Sequence, residues 1–265
     1  MPYHTPIMVK EVLEGLQVAP GKRYIDATYG GGGHTKAIRE AGGIVLGIDT
    51  DPDAGADVLG NFRNIEEIAK KEGFDTVDGI LFDLGVSSHQ LDTPGRGFSY
   101  RYGDAPLDAR LNQKSGMTAA EYLQRVSENE LYETLATYSE AEHSRSIAAL
   151  IVRGRRKQEI RTTGDLFNIV GKYEASQVFQ AIRIVINDEM GALKEGLAGA
   201  KTLLKPGGRL VVLSFHSLED RVVKLFMKSD TWRLITKKPL MATETELYLN
   251  SRARSAKLRI AEKLP

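Results

Sequence analysis

The 265-residue sequence predicts an α/β protein, a parallel doubly wound sheet interrupted by an inserted helical segment. Two observations predict it. Short apolar runs that read as buried strands alternate with helical patterns, and one of them hands over to a helix through the glycine-dense turn 28–33. In the middle of the chain the strand signal stops, and Ser/Thr-x-x-Glu signatures of helix starts replace it.

Taken in order, Arg23 to Ala27 reads as a short strand, His34 to Ala41 as a helix, and Ile44 to Ile48 as a buried strand ending at Asp49, which together make one βαβ unit. Val77 to Phe82 is a further strand, ending at Asp83. Arg209 to Phe215 is another, introduced by the turn Lys205-Pro206-Gly207-Gly208. Between these two, Thr118 with Glu121 and Ser127 with Glu130 fit the capping box, and Ser144 to Arg156 carries Ile147, Leu150 and Ile151 at helical spacing. A helical insertion over 107–173 is therefore expected between two parts of the sheet domain, 1–106 and 174–265. One long helix is expected from Val178 to Leu204, with Phe179, Ile182, Ile186, Met190, Leu193 and Leu197 as the stripe lying on the sheet.

Composition removes whole chemistries. With no cysteine there is no disulfide, thiolate nucleophile, iron–sulfur cluster or cysteine-ligated zinc, and no metal site is expected. No apolar run approaches the roughly 18 residues a membrane span needs, and Met1 to Lys10 has no signal-peptide pattern, so a soluble cytoplasmic protein without a membrane partner is expected. The net charge of +1 hides two basic runs. Arg145, Arg153, Arg155, Arg156, Lys157 and Arg161 stand against Glu159, and Arg252, Arg254, Lys257, Arg259 and Lys263 against Glu262. Such runs suit a polyanion and equally suit plain solvated faces.

Four motifs sit where chemistry is expected. Asp26 to His34 lies at a strand-to-helix handover, where doubly wound sheets bind nucleotides, and its glycines allow close backbone approach; a plain flexible turn is the alternative. Asp49, ending the next strand, can accept both ribose hydroxyls of an adenosyl or nicotinamide cofactor, or simply cap a helix before Pro52. Asp83 to Gln90 forms a polar loop at the same edge, which a methyl-transferring enzyme needs and a nicotinamide enzyme does not; an ordinary strand-end turn is the alternative. Arg96 to Asp104 interleaves cations and aromatics, a composition that suits stacking of an extruded base or a buried aromatic loop. In Ser214 to Arg221, His216 ends a strand on the same edge as Asp83, and Ser217 with Asp220 is a candidate helix cap.

These motifs, together with His4 to Leu13, Leu84-Gly85-Val86-Ser87-Ser88, Gln90-Leu91-Asp92, Phe179 to Arg183 and Ser251 to Ala256, resemble the ribosomal RNA small subunit methyltransferase H family nearly end to end. The Ser-Phe-His-Ser-Leu-Glu-Asp-Arg block is the most specific. The resemblance implies a class I (Rossmann-like) methyltransferase fold with an inserted helical subdomain, S-adenosyl-L-methionine as methyl donor, and N4 of a decoding-centre cytosine in 16S ribosomal RNA as acceptor. It implies a cofactor site lined by Gly32, Gly33, His34, Asp49, Phe62, Asp83 and Gln90. The partner would be 16S ribosomal RNA in the small subunit or its precursor, with a homodimer left open.

Three stretches depart from the family pattern: Ala54 to Leu59, too short for the usual helix and third strand; Ala175-Ser176-Gln177, without the expected Pro and Arg; and Ala109 and Asn112, where Met and Asp are usual. For chemistry, an acceptor on the N4 amine would take up charge as the methyl group arrives, and Asp104, Asp108 and His216 are the candidates. Arg96, Phe98, Arg153, Arg155, Arg156, Arg183, Asn187, Arg252 and Arg254 are the candidate RNA contacts. A nicotinamide-dependent oxidoreductase and a noncatalytic RNA-binding assembly factor are the competing readings.

Overall fold

The computed structural model describes residues 6–265, so His4 and Thr5 of the first motif lie outside the described residues. Seven strands form one sheet: β1 (Arg23–Asp26), β2 (Ile44–Asp49), β3 (Val58–Leu59), β4 (Val77–Asp83), β5 (Leu204–Ser214), β6 (Trp232–Leu234) and β7 (Lys257–Lys263). Their order is β3-β2-β1-β4-β5-β7-β6. The first five run parallel, and β7 runs antiparallel to both β5 and β6. The order reverses direction between β1 and β4, which places the carboxyl ends of β1, β2 and β4 around one crevice.

The helices are α1 (Val9–Leu16), α2 (Gly33–Glu40), α3 (Ile65–Lys71), α4 (Ser88–Asp92), α5 (Ala119–Arg125), α6 (Glu128–Tyr138), α7 (Ser144–Lys157), α8 (Thr163–Val170), α9 (Ala175–Asn187), α10 (Glu189–Leu203), α11 (Ser217–Phe226) and α12 (Glu244–Leu249). They divide the chain into two compact units, one running up to Ser87 and again from Met190, the other Ser88–Glu189.

In the first unit the period-two alternation of strands sends successive residues to opposite cores. Tyr24, Val45, Leu81, Val211 and Leu213 pack with Val12 and Leu16 of α1 and Ile38 of α2. Ile25, Leu46, Ile80, Phe82, Leu210 and Val212 pack with Ile65 of α3, Leu193 and Leu197 of α10, and Val223 of α11. A sheet buried on both faces reads as continuous apolar runs, which is why the central strands were legible. The third strand is present, reduced to two residues beside Ile48 and Asp49. Asp57 anchors the shortened loop before it, accepting from Gly47 N at 2.7 Å and pairing with the Arg39 guanidinium at 2.7 Å.

The second unit is helical. The capping boxes at Thr118/Glu121 and Ser127/Glu130 form, and Thr162/Asp165 adds a third. Leu123, Leu131, Leu135, Ala148, Ile151, Leu166 and Val178 are fully buried.

Two expectations change. The single helix from Val178 to Leu204 is broken at Asp188, whose φ of 46° and ψ of 47° end α9 in the left-handed region. Only Leu193 and Leu197 of the expected stripe join the sheet core, while Phe179 and Ile182 are buried in the helical unit. The helical unit is also wider than 107–173, running from Ser88 to Glu189, because α4, the 96–117 loop and α9 cluster with it.

Candidate functional site

Strand β1 ends at Asp26, 1% exposed, which accepts from Thr35 Oγ1 at 2.8 Å. From there the chain turns through the glycine loop. Gly30 and Gly32 take φ of 53° and 70°, and a side chain on Gly32 would collide with the Tyr29 ring, so glycine is required at Gly32 for both reasons. The loop is tied to β2, Tyr29 N donating to Ile48 O at 2.9 Å and Gly30 N to Asp49 Oδ2 at 2.7 Å.

Asp49 also accepts from Asp51 N through Oδ1 at 2.8 Å. Burial pushes its carboxyl up, and the N–H groups of Asp51 and Gly30 pull it down, with a net rise. It does not cap the turn at Pro52; Asp51 does, accepting from Asp53 N at 3.0 Å. Each Asp49 oxygen receives one of these backbone N–H groups, and the carboxylate is an acceptor to which a ribose hydroxyl can donate.

At the end of β4, Asp83 N donates to Thr28 Oγ1 at 2.6 Å, and Asp83 Oδ2 lies 3.4 Å from His34 Nε2. His34 is 4% exposed, and its Nδ1 has no hydrogen-bond partner among the described residues. Burial lowers its pKa, but the Asp83 and Asp26 carboxylates outweigh burial and raise it. Phe62 meets Phe82 edge-on at 5.5 Å, and the Cβ of any residue in place of Gly196 would sit 2.8 Å from its ring. Gly32, Gly33, His34, Asp49, Phe62 and Asp83 therefore all belong to the sheet unit, whereas Gln90 is buried in α4 of the helical unit. Thr28 and Thr35, which hold Asp83 and Asp26, were missed; their only signal was position, Thr28 within the glycine motif and Thr35 one residue past it.

Asp26 has a testable consequence. Burial raises its carboxyl to about 6, with His34 and Thr35 opposing and Asp83 assisting. The folded pKa exceeds the unfolded one, so the stability that protonated Asp26 lends is complete below about pH 4 and is lost as pH climbs through about 6. Wild type should thus lose up to about 3 kcal/mol relative to Asp26→Asn between pH 4 and 7. Urea midpoints of both proteins at those two pH values check this, and parallel curves would refute it.

Several expected site residues are committed to structure. His216 is the N-cap of α11: its Nδ1 accepts from Glu219 N at 3.4 Å, and Glu219 Oε2 accepts from Phe215 N at 2.8 Å. The capping pair is thus His216 with Glu219, not Ser217 with Asp220. His216 Nε2 lies 3.1 Å from Glu219 Oε1, but outside hydrogen-bonding geometry. Asp220 is instead taken by the Arg259 guanidinium at 2.6 Å.

In the helical unit, Asp108 receives Arg110 bidentately at 2.8 Å through both oxygens; burial would raise its pKa, yet Arg110 and Gln113 hold it below the usual range. A carboxylate so held is a weak base. Asp104 is exposed in a turn.

Arg96 and Phe98 are 3% and 8% exposed, and the Arg96 guanidinium bonds the carbonyls of Leu111 at 2.8 Å and Arg110 at 3.3 Å. They support the loop from within, whereas Tyr100 is exposed and stacks on Phe167 at 5.4 Å. Arg183 is paired bidentately with Glu189 at 2.7 and 2.8 Å, and Asn187 bonds the backbone of 109–111. Of the basic run on α7, Arg155 donates to the carbonyl of Leu123 in α5, while Arg153 and Arg156 are exposed. Arg254 is exposed and Arg252 half-buried.

Five parallel strands closed by an antiparallel pair, with a glycine loop and strand-end acids around the β1/β4 crevice, make a Rossmann-like sheet whose carboxyl edge is built to take a nucleotide-type ligand. The chain belongs to the MraW methylase family, whose model matches residues 1–264. It is an enzyme that uses S-adenosylmethionine, and the nicotinamide and noncatalytic readings fall. It is 47% identical to the ribosomal RNA small subunit methyltransferase H of Deinococcus radiodurans, over 98% of this chain and 89% of that protein. The protein of the same description from Bacteroides thetaiotaomicron is 41% identical, over 98% and 97%. A solved rRNA methylase from Streptococcus thermophilus aligns over 97% of this chain and 96% of its own, at 12% identity and a TM-score of 0.43. No helix among the described residues is long and apolar enough to cross a membrane.

Proposed function

We propose that this enzyme methylates the exocyclic N4 of a decoding-centre cytidine in 16S ribosomal RNA, in the cytoplasm, on the small subunit or its precursor. The observation that carries the reading is the near full-length likeness to relatives described as ribosomal RNA small subunit methyltransferase H. The absence of cysteine supports nitrogen as the acceptor, since methylation at cytosine C5 through a covalent thiolate adduct has no nucleophile in this chain.

When bound, S-adenosylmethionine supplies a methyl group on a good sulfonium leaving group. The ribose would be held by Asp49, and the glycine loop, His34, Phe62 and Asp83 would complete the pocket. The chain's residues would hold N4 in line with that methyl group, and one protein acceptor would take the proton that N4 gives up in exchange for the methyl. Alignment at about 3 to 3.5 Å lowers the barrier without a covalent enzyme intermediate. With Asp108 held by Arg110 and His216 Nδ1 committed to the cap of α11, the exposed Asp104 is the acceptor we assign to the N4 proton. Asp104→Ala should then reduce turnover while leaving cofactor affinity intact.

Nucleoside mass spectrometry after reaction of small subunits with labelled donor tests the assignment. Label in N4-methylcytidine supports it; label in 5-methylcytidine, in a ribose methyl group or in protein overturns it. The helical unit would bring RNA through the exposed Arg153 and Arg156. Replacing both with Gln should flatten the salt dependence of RNA binding by up to about two counterions, and an unchanged slope would place the RNA elsewhere.

A further inference from the structure

We propose that Asn187 is a positioning residue: its side-chain amide holds the backbone of 109–111 in a strained conformation and so presents Asn112 to the RNA, a role that rests on the RNA-methylating reading above. Ala109 is 4% exposed and has φ of 58°, a left-handed backbone that is unfavourable for an L residue. It lies in no helix or strand.

Side chains and backbone from distant parts of the chain keep it there. Ala109 N donates to Arg96 O at 2.9 Å. Asn187 Nδ2 donates to Ala109 O at 2.9 Å, and Asn187 Oδ1 accepts from Leu111 N at 2.9 Å. The Arg96 guanidinium takes Leu111 O from its own position 15 residues away in sequence, at 2.8 Å. Asn187 also donates to Arg183 O at 2.9 Å, so one backbone N–H and two carbonyls fix which way its amide points.

A loop that merely connected two elements would relax Ala109 out of the left-handed region. Over-determined strain of this kind collects where function needs a set geometry. At the end of the pinned segment Asn112 is half-exposed; its Oδ1 accepts from Lys114 N at 3.0 Å, and its amide donors remain to meet an acceptor on a base or a phosphate.

The brace and the strain give a test that a direct substrate contact by Asn187 would fail. Glycine adopts the left-handed conformation freely, so Ala109→Gly should make the brace dispensable. Asn187→Ala is expected to lower kcat/KM for RNA methylation roughly tenfold, with cofactor affinity unchanged, because a small misplacement of a positioned group costs that much. The double variant Asn187→Ala with Ala109→Gly should return to within about twofold of Ala109→Gly alone, since removing the strain removes the need for the brace. Asn112→Ala should show the same loss without rescue. If Asn187→Ala does not fold by thermal melting, Asn187→Asp keeps the size and the bond from Leu111 N while losing the donor to Ala109 O, and should show the same loss. Normal methylation by the Asn187 variants, or a double variant no better than Asn187→Ala, would overturn the proposal. Wild-type protein that methylates no RNA would instead overturn the reading on which it rests.

Discussion

Asp49→Ala is expected to bind S-adenosylmethionine roughly ten to a hundred times more weakly, the cost of losing charge-assisted hydrogen bonds to a ribose diol. The loss has two sources, because the same carboxylate also receives the N–H groups of Gly30 and Asp51 and so shapes the loop the cofactor would lie against. Asp49→Asn separates them. It keeps an acceptor oxygen but removes the charge, and should fall between wild type and the alanine variant. Titration calorimetry on the three folded proteins measures this. Equal affinities would mean that Asp49 only braces the loop and that the cofactor lies elsewhere along the sheet edge.

Gly97→Ala should destabilise the helical unit by about 3 kcal/mol or more, placing it among the larger single-substitution effects. Two independent costs add. Gly97 has φ of 67°, unfavourable for any L residue, and a Cβ built there runs into Pro106 O and Asp108 N. Both atoms are backbone, in a segment already fixed by Arg96, Asn187 and the Asp108–Arg110 pair, so neither moves aside cheaply. Circular dichroism in a urea series reads the result. A midpoint shift equivalent to less than about 1 kcal/mol would show that the 106–109 backbone can retreat and that the loop is softer than its bonding implies.

The errors of sequence reading share one cause. His216 and Glu219 cap α11 one register before the pair that hydroxyl-based capping rules select, because an imidazole nitrogen serves as acceptor where a Ser or Thr is normally sought. Arg96, Arg155 and Arg183 read as candidate RNA ligands because a cation in a sequence shows its charge and not its partner; the carbonyls and carboxylate they bond within the protein become visible only when the chain folds. Asp108 misled in a milder way, since Arg110, two residues on, was in plain view.

The sequence by itself determined the features that depend on near neighbours. The strands of the sheet show as apolar runs because both faces are buried, the proposed cofactor edge shows as a glycine-dense turn flanked by strand-end acids, and the helix starts show as capping boxes four residues long. Tertiary structure alone decided what depends on residues far apart. It set the antiparallel return of β7 beside β5, and it ended α9 at Asp188 where the apolar stripe ran on without a break. It also joined Asn187 to Leu111 across 76 residues. A hydrophobic period records which face is buried but not against what, and a polar side chain's partner is chosen by the fold, so pairing and role could be read only once the packing was in place.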